Sequence, residues 1–575
     1  PDSPFDPNSP SVERGGAASQ LALMAARNVY TYHENSATTN LWDSSNRLHV
    51  DEIGSGGLTK AMFGAGNLSD AEFEDLINWI RGEGRYSFGD PLHSRPVAVT
   101  YNVSETDPDV ERFVGTNAGA LQAINAKTGK ETFAFFPQAT FGIQQQLRDN
   151  PATAPHLYGI DGNIAPWVRD NGADGIDITD DKDFVRLFFG MRRGGFNYYS
   201  MDVTDRSRPT LEWIIEGGSG DFAEMGQTWG TPIPGRIKLK DDDARDVLFI
   251  SGGYDETKDD VTTRVEDTMG RAIFIVDAHT GELIWSGSPA ASGDGVNGYN
   301  KQFTDMKYSI PSTLTVADVN SDGLDDIIVV GDTGGQLWRF DLRIDQEVEN
   351  LVAGGVIADL GVADGTNSEI NNRRFFHAPD IGLVERAFDG SGETRRELAI
   401  TIGSGFRPSP LSNVTHDRFF MIRQTAVFGP PASYTKVTMS DLYDATDNRV
   451  GDGVLADGTT LDPNEIQLEE SSLVSKKGWY IDLHDASFPG EKVLSTPITF
   501  RDQVAFITYT PNPGIFDCEA QAGQSKVYFV NLGDATPVKD WTDTGDDCVG
   551  GACTEDDRVY RLKTPTRDIT VPQRG

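Results

Sequence analysis

The sequence predicts an all-β chain, a modified seven-bladed β-propeller of quinoprotein-like type with long loop insertions and a short N-terminal helical lead-in. Three observations carry this prediction. A short apolar run, in most copies closed by Asp or Asn, recurs seven times, and a proline-bearing element precedes six of the seven copies. Gly supplies 61 of 575 residues and aromatic residues 10%. Glycine usage above the usual level of about 7%, combined with many aromatics, is the composition of turn-rich β structure.

The elements follow in chain order. Pro1–Pro10 is rich in Pro, Asp and Ser and reads as a linker, and the chain starts without Met or a signal peptide. The expectation is a processed or excised C-terminal portion of something longer. Ser69 and Glu72 have capping-box spacing. Phe73, Leu76, Ile77 and Ile80 then recur at i, i+3, i+4 and i+7, which predicts a helix ending near Arg81-Gly82. It is the one strong helix expected, and it places a lead-in over residues 1–85 ahead of a propeller domain over 86–575.

The repeat begins at Gly119–Asn125 and recurs at Gly195–Asp202, Gly270–Asp277 and Gly335–Asp341. Looser copies lie at Arg418–Arg423, Gly478–Asp482 and Lys526–Asn531. Two copies run on through Thr-Gly turns, Thr128-Gly129 and Thr280-Gly281, into a second strand, so each unit contains a hairpin. The preceding element carries Pro96, Pro166, Pro232, Pro311, Pro379 or Pro497. Proline cannot donate to a β ladder and belongs at a strand start or sheet edge, which suits the first strand of a blade. The copies are spaced by about 68 residues, more than the roughly 40–50 of a simple blade. The surplus falls in Asp161–Asp183, Asp255–Thr268, Tyr434–Lys477 and Gly533–Asp557, all of loop composition. An eight-bladed count is the alternative.

Charge excludes whole classes of function. With 50 Lys+Arg against 88 Asp+Glu the chain carries −38, which repels phosphate backbones and acidic membranes and favours divalent cations or basic partners. An apolar fraction of 38% excludes global disorder. No apolar run approaches the roughly 18 residues of a transmembrane helix. Cys518, Cys548 and Cys553 are the three cysteines, and their pairing is open. Few, late cysteines in an acidic chain suit an exported protein, and zinc would need more ligands than they offer.

One motif carries sharp chemistry. Asp318, Asn320, Asp322 and Asp326 place side-chain oxygens at positions 1, 3, 5 and 9 of a loop whose sixth residue is Gly323. Leu324 at position 7 would add its backbone carbonyl. Three carboxylates and one amide oxygen suit the hard cation Ca²⁺, and the glycine permits the sharp turn. An EF-hand would carry Glu at position 12, where this sequence has Val329 within an apolar strand. The expectation is therefore a Ca²⁺ loop between strands, residues 318–326, with Asp325 turned away. Asn171–Asp177 and Asp447–Asp452 are looser patterns and read as solvated acidic loops rather than second ion sites.

The wider residue pattern resembles a known family. Gly190–Tyr199 followed by Met201–Asp205, Gly226–Trp229, Tyr308–Pro311 with the loop behind it, and Gly331–Asp341 are similar to the C-terminal domain of the PilC/PilY family of type IV pilus tip proteins. Gly403–Arg407, Asp417–Phe420, Lys477–Tyr480, Leu76–Gly82 and Asp90–Ser94 extend the likeness, which covers about residues 25–535. The resemblance implies a modified propeller with one Ca²⁺ loop at Asp318, Asn320, Asp322, the Leu324 carbonyl and Asp326. It implies no enzymatic activity. It also implies a role at the pilus tip or cell surface: contact with minor pilins, control of pilus extension against retraction and hence twitching motility, and adhesion to host or abiotic surfaces. No Arg-Gly-Asp tripeptide occurs, so integrin binding through that motif is not expected.

Two other functions compete. A periplasmic propeller scaffold for protein assembly has the same composition. A quinoprotein dehydrogenase would share the Asp277–Trp285 hairpin pattern and the use of Ca²⁺, but its quinone pocket resembles a stack on a disulfide between adjacent cysteines, and no two cysteines here are adjacent. Hydrolase signatures are absent, and the eight His are scattered. His93 and His377 sit beside the proline element and read as structural, and Trp229, Trp338 and Trp479 read as core.

Overall fold

The computed structural model describes residues 16–561 apart from 83–87, 103, 105, 154, 363–366, 387–394, 448, 452, 454, 456–458, 487–488, 512–522 and 540–554. The three cysteines lie outside the described residues, so their pairing is not addressed. The chain is all-β, of the propeller-blade type that the sequence predicts, and it divides into two compact units. One holds Pro1–Pro234 with Val276–Leu283, the other Gly235–Ile275 with Ile284–Gly575.

In the first unit, Val97–Thr100, Val110–Gly115, Leu121–Asn125 and Glu131–Pro137 form an antiparallel meander. A second meander takes Ile164–Arg169, Phe184–Gly190, Tyr198–Asp202 and Thr210–Ile215. The period of two sorts their side chains. Leu187 and Phe189 join Phe113, Leu121 and Phe135 in one core. Phe188, on the opposite face, stacks on Trp213 at 5.8 Å. Val29–Tyr32 adds a fifth strand to the first sheet, parallel to Glu131–Pro137, with Tyr30 opposite Phe135.

The predicted helix is present over Asp70–Arg81. Ser69 Oγ accepts from Glu72 N, the Glu72 carboxylate accepts from Ser69 N at 2.7 Å, and Gly82 closes the end at φ 62°. Its apolar stripe buries Phe73, Leu76, Ile77 and Ile80 in a cluster with Ala134 and Phe136 of the first sheet. It is not the only well-formed helix. Pro463–Ser475 starts with a capping box at Asp462 and Glu465 and proline in its first turn, and buries only Leu473. Its caps were readable in Asp462-Pro463-Asn464-Glu465, but it lacks the apolar stripe that marks a packed helix.

The remaining sheets repeat the meander and belong to the second unit, apart from Ile233–Pro234 and Val276–Leu283 of the third. The third sheet uses Ile233–Lys238, Ala244–Ser251, Ile273–Asp277 and Leu283–Ser288, extended by Tyr299–Gln302 and Gly293–Asp294. The fourth uses Thr315–Ala317, Ile327–Gly331, Gln336–Leu342 and Val352–Asp359. The fifth takes Asp380–Arg386, Arg395–Gly403, Arg418–Gln424 and Gly478–Asp482, with Tyr443–Asp444 beside the last. In the sixth, Lys492–Val493 and Ile498–Phe500 both pair with Gln503–Thr510, followed by Gln524–Asn531 and Val559–Arg561.

The described residues thus form six sheets, one fewer than the seven hairpin copies predict. Gly478–Asp482 is the copy that does not open a blade. It pairs antiparallel with Arg418–Gln424, Met421 opposite Trp479, and is the fourth strand of the fifth sheet. The long segment between these two strands is an excursion within one blade. The proline elements count correctly: each of the six lies within or shortly before the first strand of a four-stranded meander, Ile498–Phe500 in the sixth sheet, and Gly478–Asp482 is the copy that lacks one.

Candidate functional site

Asp318–Asp326 joins the first two strands of the fourth sheet. Ala317 and Ile327 are cross-strand partners, and Asp326 N donates to the Ala317 carbonyl at 3.0 Å, so the ladder pins both ends of the loop. Between them the chain turns through two left-handed residues, Ser321 at φ 63° and Gly323 at φ 86°. A Cβ on Gly323 would meet nothing within 4 Å. This glycine is needed for its torsion, not for space.

The side chains fold inward on the loop's own backbone. Asp318 accepts from Ser321 N at 2.6 Å, Asp322 N at 3.2 Å and Gly323 N at 2.8 Å. Asn320 Oδ1 accepts from Asp322 N at 2.8 Å, and Asp322 Oδ1 from Leu324 N at 2.9 Å. Asp326 Oδ2 accepts from Val319 N at 2.8 Å and Asn320 N at 3.2 Å, while its Oδ1 accepts from Asn320 Nδ2 at 3.1 Å. The Gly323 N–H leads the backbone donors that hold the Asp318 carboxyl below its ordinary range. Burial raises Asp326, and the charges of Asp322 and Asp318 add to that.

Asp325 turns away, as its position in the loop predicts. Its Oδ2 accepts from Arg236 N at 2.7 Å, and its own N–H donates to the Arg236 carbonyl at 2.9 Å. The donor set that remains is three carboxylates, one amide and the Leu324 carbonyl, with no basic side chain among the groups acting on Asp318 or Asp326. That chemistry fits a hard divalent cation. The structure brings Asp326 to Asn320 and wraps Asp318 around the turn. It does not gather Asp318, Asp322 and Asp326 into a three-carboxylate cluster, and none is found among the described residues. Three like charges repel, and each finds backbone N–H donors instead.

The looser acidic loop at Asn171–Asp177 is held by its own neighbouring carboxylates. Asp170 accepts from Asp174 N and Gly175 N, and Asp183 from Asn171 N and Asp177 N. Asp452 lies outside the described residues. His93 Nδ1 meets the buried Asp161 at 2.7 Å and His377 Nε2 meets Arg407 at 3.1 Å, both beside the proline elements. Trp338 donates its indole N–H to Asp332 at 2.9 Å, and Trp479 to the Leu532 carbonyl at 2.8 Å.

Sequence reasoning missed the buried charges. Arg339, wholly buried, holds Asp341 through Nε and Nη2 and also donates to the Ala426 and Gly429 carbonyls. Lys492, also buried, donates to the carbonyls of Pro410, Ser412 and Gly490. A charged residue alternating with aromatics, as in Trp338-Arg339-Phe340-Asp341, was the available signal.

Fold and loop together define an all-β protein of propeller-type blades with an Asp/Asn/Gly hairpin loop suited to a divalent cation. Among known proteins, the chain is similar to the type IV pilus biogenesis factor PilY1. It is 25% identical over 511 residues to a PilY1 homolog of Xylella fastidiosa, spanning 79% of this chain and 31% of that protein. It is 23% identical over 497 residues to PilY1 of Pseudomonas aeruginosa strain PAO1, spanning 78% of this chain and 39% of that protein. The crystal structure of the P. aeruginosa PilY1 C-terminal domain superposes with a TM-score of 0.49 at 18% identity, covering 76% of this chain and 83% of that one. No family model matches the chain. The resemblance to the PilC/PilY family read from the motifs therefore extends over about four fifths of the chain. The chain spans between 31% and 39% of the length of these two relatives.

Proposed function

We propose that this chain is the blade-forming part of a type IV pilus biogenesis factor, acting by binding and assembly rather than catalysis. The observation that carries the reading is sequence similarity along some four fifths of the chain to proteins named for that role. In this reading the protein acts at the pilus tip or cell surface, contacts minor pilins, balances extension against retraction and takes part in surface adhesion. No helix among the described residues is long and apolar enough to cross a membrane.

The proposed cation site is Asp318, Asn320, Asp322, the Leu324 carbonyl and Asp326. Bound Ca²⁺ would supply the positive charge that three carboxylates need in order to converge. The residues themselves preorganise the loop: Gly323 and Ser321 make the turn, the ladder fixes its ends, and Arg236 draws Asp325 out of the way. The site lacks a bidentate Glu at position 12, so the expected affinity is that of sensor or extracellular sites, with Kd of about 10⁻⁷–10⁻³ M.

Calorimetry on the purified chain combined with surface-pilus counts tests both halves. Asp326→Ala is expected to abolish tight Ca²⁺ binding and to leave cells with few surface pili. Asp326→Lys places an ammonium in the loop and is expected to restore piliation while blocking retraction-driven motility. Unchanged Ca²⁺ affinity in Asp326→Ala would refute the site. Lost Ca²⁺ binding with normal pili and twitching would refute the regulatory role.

A further inference from the structure

The second unit contains a cavity of about 420 Å³ whose charge runs against that of the chain. Arg423, Lys436, Lys476 and Lys477 line it, against only Glu397 and Asp441, in a protein whose net charge is −38. Arg423 and Glu397 are buried in its wall. Lys436 pairs with Asp305 at 2.8 Å. Asp441 is engaged by the N–H and hydroxyl of Thr438, each at 2.8 Å. Lys476 donates to the Ser440 carbonyl at 2.7 Å, and Lys477 is exposed. Both act on Asp441 through space, but among the described residues neither lysine has a carboxylate at ion-pair distance. Two lysines with no ion-pair partner among the described residues therefore line one cavity.

The rest of the lining says what kind of anion fits. Thr425, Ser433, Thr435 and Ser475 are in the wall, Ser433 and Thr435 sharing a hydrogen bond at 3.2 Å and Ser475 donating to the Ser472 carbonyl at 2.7 Å, and among the described residues no aromatic residue lines it. The occupant is polar throughout, not flat and apolar. The volume lies within the range of about 300–1,000 Å³ typical of small-molecule sites, more than a bare oxyanion fills. One anionic group for the lysines, and several hydroxyls for the hydroxyl and carboxylate wall, are together the chemistry of an acidic sugar. We propose that this cavity binds a carboxylate-bearing saccharide. The proposal does not depend on the pilus reading or on the cation loop, which lies elsewhere in the sequence.

Calorimetry and ligand-observed NMR on the purified chain test it, with glucuronate as probe and glucose and inorganic phosphate as comparators. Glucuronate is expected to bind, to bind at least about tenfold more tightly than glucose, and to weaken with added salt as an exposed charge interaction does. The Lys476→Gln/Lys477→Gln double variant is expected to lose at least about tenfold in affinity with an unchanged Tm. If the double variant unfolds, Lys477→Gln alone, at an exposed position, is read instead and is expected to weaken binding severalfold. Failure of glucuronate to bind, equal binding of glucose, or unchanged affinity in the lysine variants would overturn the proposal. Phosphate binding as tightly as glucuronate would also overturn it, by reducing the cavity to a simple anion site.

Discussion

At the scale of single residues, the buried charges make the sharpest demands. Arg339 and Asp341 meet at 2.6 Å with almost no exposure, and Tyr434 donates its hydroxyl to Asp341 at 2.7 Å. Removing one partner strands the other charge in the core, at a cost of about 3–5 kcal/mol. Asp341→Ala is expected to show that loss in urea denaturation, and Arg339→Met/Asp341→Leu to recover most of it. Asp332 is a different case. Burial is the first cause that raises its carboxyl from 3.8 to about 7, against the indole N–H of Trp338 and the backbone N–H of Gln336, which favour the ionised form. Its folded value lies above its unfolded one, so its stability contribution is complete below pH 4 and is lost as pH rises through 7. The slope is at most about 1.4 kcal/mol per pH unit. Asp332→Asn is expected to flatten that part of the stability–pH curve. It should also cost about 1–3 kcal/mol at low pH, because one amide N–H would face the Trp338 donor.

At the scale of elements, caps and turns can be tested separately. Ser69→Ala removes one half of a reciprocal cap on a helix that packs four apolar side chains, and is expected to lower global stability by about 1 kcal/mol. Asp462→Ala removes an equivalent cap from a helix that buries only Leu473. There the expected effect is faster amide exchange within Pro463–Ser475 and little change in Tm, because the element adds little to the core. Gly335 tests the hairpin turns. It sits at φ 77°, and a Cβ there would lie 2.2 Å from the Gly361 Cα. Gly335→Ala therefore combines backbone strain with a clash against main chain, and is expected to cost several-fold more than the roughly 1 kcal/mol of a tolerated left-handed alanine.

At the scale of the whole molecule, the proposed cation loop would couple Ca²⁺ to stability. A ligand that binds only the folded state stabilises it by about 2.7 kcal/mol at one hundred times its Kd. Tm is therefore expected to rise with Ca²⁺ for the native sequence and to stay flat for Asp326→Ala in differential scanning calorimetry. An equal Ca²⁺-dependent rise in both would place the binding elsewhere in this acidic chain. The comparison without Ca²⁺ measures what Asp326 contributes by holding Val319 N and Asn320 N.

Much of this architecture is written locally, and the sequence by itself determined those parts. The helix Asp70–Arg81 follows from one capping box and one apolar stripe. The first strand of every four-stranded meander follows from a proline that cannot join a ladder on both edges. The 318–326 loop follows from oxygen-bearing residues spaced around a single glycine, and the turning away of Asp325 from its parity within that loop. Pairing between distant segments was decided only by the tertiary structure. Gly478–Asp482 has the same local pattern as a blade's third strand, yet it fills the vacant edge beside Arg418–Gln424 and becomes a fourth. Val29–Tyr32 pairs with residues more than a hundred positions later. Arg339 is buried because carbonyls from another strand's flank reach its guanidinium. Capping, turn and strand preferences act over a few residues and leave their mark in order of sequence. Strand pairing and charge burial depend on which surfaces meet after the chain has folded, and short stretches of sequence carry no record of that.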